Sequence, residues 1–374
     1  MVHVALLLGC AVILYLACEW FVNAVEWVGV QLNVGPIAVG TILAAVGTAL
    51  PESVVTLVAV SGRGGPNGAE IGVGAALGGP LVVATIAYAT VGATLLARRW
   101  SAVRGARAEA PTTGMRPPPD ERPAREQTLP ESPAPVAPAP VPLNGVLVNG
   151  VLPVEASKRL ARDQVWFLAV FVAQVALGLL VFPVKPWLGM VFFAVYALYF
   201  WRELSGGGAA SAEDLEPLKL QPRRAVPSRF AVLAQTAVAL VVIFVASQVF
   251  VGQLEWAGPA MGLPPVVVAL LLSPVATELP ETMNALIWVR QGKTHLALAN
   301  VSGAMMIQAT IPSGIGLLFT PWHFGRPLLL AGSATIGAVI YLHLLLRRGK
   351  LTPGRLAGAA AFYLAFALAL AWGL

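Results

Sequence analysis

The sequence predicts an all-α integral membrane protein of ten transmembrane helices, arranged as two inverted five-helix repeats. Three observations predict it: a composition too apolar for a water-soluble chain, ten apolar stretches of spanning length, and an internal repeat. Of 374 residues, 57% are hydrophobic and 11% are charged. A soluble domain carries roughly 25% charged residues, and about 20 apolar helical residues cross a bilayer core. The net charge of +6 and the pI near 9.6 would suit nucleic acid. The basic residues, however, lie in loops between apolar stretches, where membrane topology accounts for them.

The ten predicted spans are Val2–Val22, Val34–Val60, Ile71–Ala97, Gln164–Phe182, Trp187–Trp201, Phe230–Val251, Leu263–Val289, His295–Thr320, Pro327–Leu346 and Leu356–Trp372. Pro183 and Pro186 separate the fourth from the fifth. The first has no Lys or Arg before Val4 and outruns a signal-peptide core, so it reads as a retained span. Cys10 and Cys18 both lie in it, separated by about 12 Å of helical rise, and read as small apolar fillers. If the loop between spans three and four is cytoplasmic, 21 of the 24 basic residues fall on that side. Arg63, Lys185 and Arg326 are the exceptions. This bias predicts that both termini face outside, in the plasma or inner membrane.

Composition divides the chain further. Residues 1–100 carry the first three helices, 161–204 the next two and 229–374 the last five. Between them, 101–160 holds twelve of the 30 prolines, mixed with Ala, Glu and Arg. Such a segment buries too little apolar surface to offset its ordering entropy, and reads as a disordered cytoplasmic linker. Residues 205–228 read as a shorter polar linker.

The repeat carries the architecture. The run Ala17-Cys-Glu-Trp-Phe-Val aligns with Ala246-Ser-Gln-Val-Phe-Val at an offset of 229. At the same offset Thr48-Ala-Leu-Pro-Glu-Ser53 falls on Thr277-Glu-Leu-Pro-Glu-Thr282, and Pro36 falls on Pro265. Gly74–Gly79 pairs with Ala299–Ala304 at an offset of 225. Five spans per half is an odd number, so the second half is upside down relative to the first, a plan common among secondary transporters.

Most of the 18 acidic residues lie in loops. Glu52, Glu278 and Glu281 instead lie mid-span, with no Lys or Arg mid-span to neutralise them. A charge at the bilayer centre costs about 2.5–3.5 kcal/mol even on lenient scales, so these residues point to a bound cation or proton. Pro51 and Pro280 precede two of the glutamates. Proline removes a backbone donor and breaks or kinks the helix, which frees carbonyls at membrane depth. Thr48 and Thr277 stand four residues before Glu52 and Glu281, on the same helical face. Carboxylate, hydroxyl and carbonyl oxygens are the ligand set of hard cations. The alternative is that Pro and Thr only kink each helix and cap its own carbonyls. Glu19, Glu26 and Glu255 sit near span ends and are expected at the interface.

The paired motifs Gly47-Thr-Ala-Leu-Pro-Glu52 and Ala276-Thr-Glu-Leu-Pro-Glu281, with the Glu19-Trp-Phe-Val lead-in and the Gly-rich third and eighth spans, resemble the cation/calcium exchanger superfamily, sodium/calcium exchanger branch. The resemblance covers the helices and not the 101–160 linker. It implies ten helices, cation antiport, and the two Pro-Glu glutamates as principal ligands. The chain departs from the pattern where Ala49 and Glu278 replace Ser, and where Pro80 and Met305 replace Asn or Asp. Those losses bear on sodium sites more than on a divalent site. Gln308, Asn300 and Asn284 are candidate replacement ligands, or ordinary interhelical hydrogen bonds.

The expected function is export of calcium or a related cation against sodium or protons by alternating access. The alternatives are a monovalent cation/proton antiporter, a metal-dependent membrane enzyme using the glutamates, and a non-transporting sensor. Catalytic and nucleotide-binding motifs are absent from the sequence, so no enzyme activity, resident cofactor or nucleic-acid partner is expected. Glu278 stands three residues before Glu281, so both carboxylates are expected to project from one helical face. Three carboxylates in low dielectric would leave one of them protonated when the site is empty. Protons would then compete with sodium as counter-ion.

Overall fold

The computed structural model describes residues 2–35, 38–58, 60, 68–108, 147–148, 152–205, 215–260, 270–271 and 273–372. Among them the chain is helical apart from a short antiparallel hairpin of β1 (Leu147–Val148) and β2 (Leu152–Pro153). In chain order, α1 (Val2–Gln31) is followed by a π-helical turn, Val39–Ala44, leading into α2 (Ala45–Val58). Then α3 (Gly68–Val82), a second π turn at Val83–Ala87, and α4 (Tyr88–Ala108) form one path. After the hairpin come α5 (Val154–Leu179), a 3₁₀ turn at Lys185–Trp187, and α6 (Leu188–Ser205). The second half contains α7 (Arg229–Ala260), α8 (Ser273–Thr277), α9 (Leu279–Arg290), α10 (Thr294–Phe319), α11 (Arg326–Arg347), α12 (Pro353–Ala357) and α13 (Ala360–Trp372).

Each predicted span carries helix among the described residues, and seven stretches are long and apolar enough in themselves to cross a membrane. Two differences matter. The segment read as linker is ordered at both ends: α4 runs on to Ala108, and α5 starts at Val154, ten residues before its apolar run. Arg159, Arg162 and Asp163 read as loop charges but lie on the first turns of that helix. Apart from these ends and the β1–β2 hairpin, the Pro-rich segment lies outside the described residues. Likewise α1 continues to Gln31, so Glu19 and Glu26 fall inside a helix.

Helix α10 is the axis of the molecule. It is 83% buried over its spanning window, against 22–56% for the other six. Small residues let neighbours approach its backbone, as expected where no water-driven hydrophobic force acts between helices. A Cβ on Gly303 would lie 2.1 Å from the Thr41 carbonyl oxygen, and one on Gly189 of α6 would lie 2.5 Å from the Gly314 oxygen. The π turn before α2 and the start of α6 therefore both rest on α10 main chain.

Polar bolts join elements distant in sequence. Residues 215–220 lie as a strap along α1 and α7. The Asn23 amide donates to Pro217 O (3.2 Å) and accepts from Lys219 N (3.0 Å), and the Trp27 indole donates to Glu216 O (2.9 Å). Gln235 of α7 accepts from Leu220 N (2.8 Å) and donates to Trp20 O and Asn23 Oδ1. Lys219 also pairs with Glu19 at 2.6 Å. At the other side of the molecule, Lys185 is buried and its ammonium donates to the carbonyls of Leu180 (2.7 Å) and Trp322 (3.0 Å). Burial holds its pKa below that of a free lysine. It is one of the three basic residues outside the predicted cytoplasmic set, and it acts there as a cap.

Candidate cation site

The site forms where the seventh predicted span breaks. Pro280 has no N–H to donate to the preceding turn, and here the chain divides at Glu278 (φ −86°, ψ 5°) into α8 and α9. Glu278 N donates to Pro274 O (3.0 Å), and Thr282 N to Glu278 O (3.1 Å), which carries the chain across the break. The first half behaves differently. Helix α2 runs through Pro51 without interruption, and the irregularity lies upstream in the π turn Val39–Ala44. A π turn widens the backbone and is common at functional sites.

Glu281 lies in the first turn of α9 and is 1% exposed. The positive end of the helix dipole favours a carboxylate there. Helix α2, which carries Thr48, packs against α9, so the two repeat motifs lie side by side. Thr48 donates to Ala44 O (3.1 Å), and half-buried Thr277 donates to Pro274 O (3.1 Å). Both hydroxyls thus cap carbonyls of their own chain segment, and each retains oxygen lone pairs. Glu52 stands one turn after Thr48 in α2; its side chain lies outside the described residues.

The break alters the expected face. Glu278 is fully buried, and its Oε2 accepts from Gln308 Nε2 on α10. Glu281 meets α10 two turns away, where Asn300 Nδ2 donates to its main-chain carbonyl (3.3 Å). The Glu278 carboxylate and the Glu281 main chain thus meet α10 at residues separated by about 12 Å of rise, Gln308 and Asn300.

Several oxygens around Glu281 have no protein partner. They are Glu281 Oε2, Asn300 Oδ1 and Asn284 Oδ1, on side chains 0–1% exposed; the Asn284 amide nitrogen also lacks a partner. Buried polar atoms are rarely left so in folded proteins, because each costs its full desolvation energy. The set is rich in hard oxygen donors. Among the described residues, no three His, Cys, Asp or Glu side chains come together as a metal cluster.

Sequence reading placed Glu26 at the interface, whereas the structure buries it. Its carboxylate accepts from the Trp288 indole (2.8 Å) and pairs with Lys293 (2.5 Å), fixing α1 to the end of α9. The Glu26–Trp motif and its copy at Glu255–Trp256 were visible as repeat residues, but their partners were not.

A helical membrane protein with a buried, oxygen-lined centre at a broken helix belongs to the class of ion transporters. More specifically, the chain belongs to the sodium/calcium exchanger protein family, whose pattern matches residues 2–103 and 231–372. It is accordingly a cation antiporter and not an enzyme. Its fold resembles that of the sodium-calcium exchanger NCX_Mj. Against crystals soaked with Na⁺ and Ca²⁺ the TM-score is 0.65 at 16% identity, covering 98% of this chain and 97% of that one. Against crystals soaked with Na⁺ and Sr²⁺ it is 0.67 at 16% identity, covering 99% and 98%. No curated protein sequence matches the chain.

Proposed function

We propose that this protein exports calcium, or a related divalent cation, in exchange for sodium or protons. It does so as ten spans in two inverted five-helix halves, with both termini outside the plasma or inner membrane. Glu52 and Glu281 are the principal ligands, with Thr48 and Thr277 beside them. Asn284 and Asn300 supply further oxygens. Glu278, held by Gln308, forms a second carboxylate level. The observation that carries this reading is the fully buried Glu281 at the helix break, beside Asn284 and Asn300, whose oxygens have no protein partner. A hard divalent ion would satisfy those oxygens and both carboxylate charges. The transported ions are cargo, and no resident cofactor enters the scheme. The resemblance in fold to an exchanger studied with Na⁺, Ca²⁺ and Sr²⁺ supports the same choice of ions.

The reading is tested in everted membrane vesicles loaded with the chain. Calcium uptake should appear when an outward sodium or proton gradient is imposed and collapse when the gradient is dissipated. Absence of cation flux under either gradient would sink it. Glu278→Ser separates the counter-ions. If Glu278 carries the exchanged proton, the variant keeps sodium-driven flux and loses proton-driven flux. Equal retention of both would remove Glu278 from coupling.

A further inference from the structure

A second cluster of ionisable groups lies away from the cation site, where α5 and α6 pack against the first turn of α10. Glu203 of α6 is 1% exposed at its side chain and is held by two arginines of α5. Arg159 reaches its Oε2 through Nη2 (2.6 Å) and Nε (3.1 Å), and Arg162 lies 3.5 Å from its Oε1. Asp163 is the next residue of α5. It is 1% exposed, and its Oδ1 has no hydrogen-bond partner. Both neighbouring arginines are thus directed to the other carboxylate of the cluster.

Asp163 lines a small cavity with Arg159 of α5 and with His295, Leu298 and Ala299 of α10. The cavity is of a size to admit about one water. Other groups face the cluster from each packed element. Tyr199 and Arg202 approach from α6, Tyr88 from α4 beside Gln164 of α5, Lys293 stands beside His295, and His343 of α11 lies near Ala161. The Tyr88 and Tyr199 hydroxyls are buried without geometric partners. A buried carboxylate oxygen with no donor is costly as an anion, and protonation relieves the cost. A metal cation is disfavoured, because Arg159 lines the same cavity.

We propose that Asp163 and His295, on the shared cavity, form a proton-binding site at the end of α10 that the predicted topology places toward the cytoplasm. Asp163 Oδ1 takes a proton from cavity water, and the imidazole of His295 passes it to and from the solvent side. The occupied state neutralises a buried carboxylate whose Oδ1 lacks a donor, and the vacant state restores its charge beside α10. Because α10 also carries Asn300 and Gln308, occupancy of this site biases the helix that contacts both Glu281 and Glu278. That last link rests on the transport reading above; the proton site itself does not.

The test uses infrared difference spectra of the full-length protein in lipid nanodiscs between acidic and alkaline buffer. A protonated-carboxyl stretch should titrate in the wild type, vanish in Asp163→Asn, survive in Glu203→Gln, and shift its midpoint in His295→Gln. If Asp163→Asn does not fold, Asp163→Glu should move the band instead. A band unchanged by every Asp163 variant, or no titrating carboxyl, would overturn the proposal. In vesicles, Asp163→Asn should flatten a severalfold dependence of calcium flux on the pH of the cytoplasmic face. An unaltered pH profile would sever the site from transport. Loss of all flux with the titrating band intact would overturn the transport reading and leave the proton site supported.

Discussion

Glu281 and Glu278 are separated by three residues but meet different parts of the molecule. Glu281 meets Asn300 through its main-chain carbonyl, and Glu278 accepts from Gln308. An amide can substitute for a carboxylate as a hydrogen-bond acceptor but cannot balance the charge of a divalent ion. Glu281→Gln and Glu52→Gln are therefore each expected to abolish calcium exchange while insertion and folding persist, as read by vesicle flux beside size-exclusion elution. Near-normal flux in both variants would place the ions elsewhere. The Leu-Pro-Glu pair was legible in the sequence because it is local, duplicated and anomalous at membrane depth. Asp163 was not. Its burial depends on α5 beginning ten residues before the apolar run and on Arg159 and Arg162 being drawn to Glu203, a contact across 44 residues of sequence. A run of charges ahead of an apolar stretch reads as loop until a partner for each charge is known.

Single helices and turns show the same division. Apolar length located the seven stretches long enough to span, and the prolines located the break between α8 and α9. Proline did not locate the π turn Val39–Ala44, because α2 absorbs Pro51 without a break and the distortion is set by packing on α10. Nor did composition show that the polar linker ends as a strap. Asn23 is 4% exposed and Gln235 is 2% exposed, and the two bind each other at 3.0 Å as well as the strap. Truncating either leaves buried groups without partners, at roughly 1–3 kcal/mol each. Asn23→Ala and Gln235→Ala should each lower the melting temperature in detergent. The double variant should cost less than the sum of the two, as expected for residues in one network. Additive losses would show that the strap does not link α1 to α7.

Over the whole molecule, α1 packs along α7, while α2 to α6 and α9 pack around α10. On the proposed alternating-access reading, the two halves rock about the site and open it to one side at a time. Cys18 of α1 is buried, with its thiol 3.8 Å from Pro280 O, and its repeat equivalent at the 229 offset, Ser247 of α7, is also buried. Ser247→Cys in a background lacking Cys10 and Cys18 is expected to change its reactivity toward an impermeant thiol reagent when sodium is exchanged for calcium. Reactivity indifferent to both ions would argue against movement at this level. The Glu26 pairing with Trp288 and Lys293 opposes such movement from one end and is expected to break in the opposite state.

The strap also governs where foreign sequence could enter the chain. Its first bonded residue in sequence is Glu216, whose carbonyl is already fixed to Trp27, so the register of α7 against α1 is set from there onward. Anything spliced between Ser205 and Leu215 lengthens only the path that leads to this anchor. The entropy of a longer loop rises slowly, by about 0.6 kcal/mol for each doubling. A soluble reporter or sensor domain inserted there would hang from the membrane protein without shifting a helix. One inserted between Leu220 and Arg229 would pull directly on the seam between the two halves.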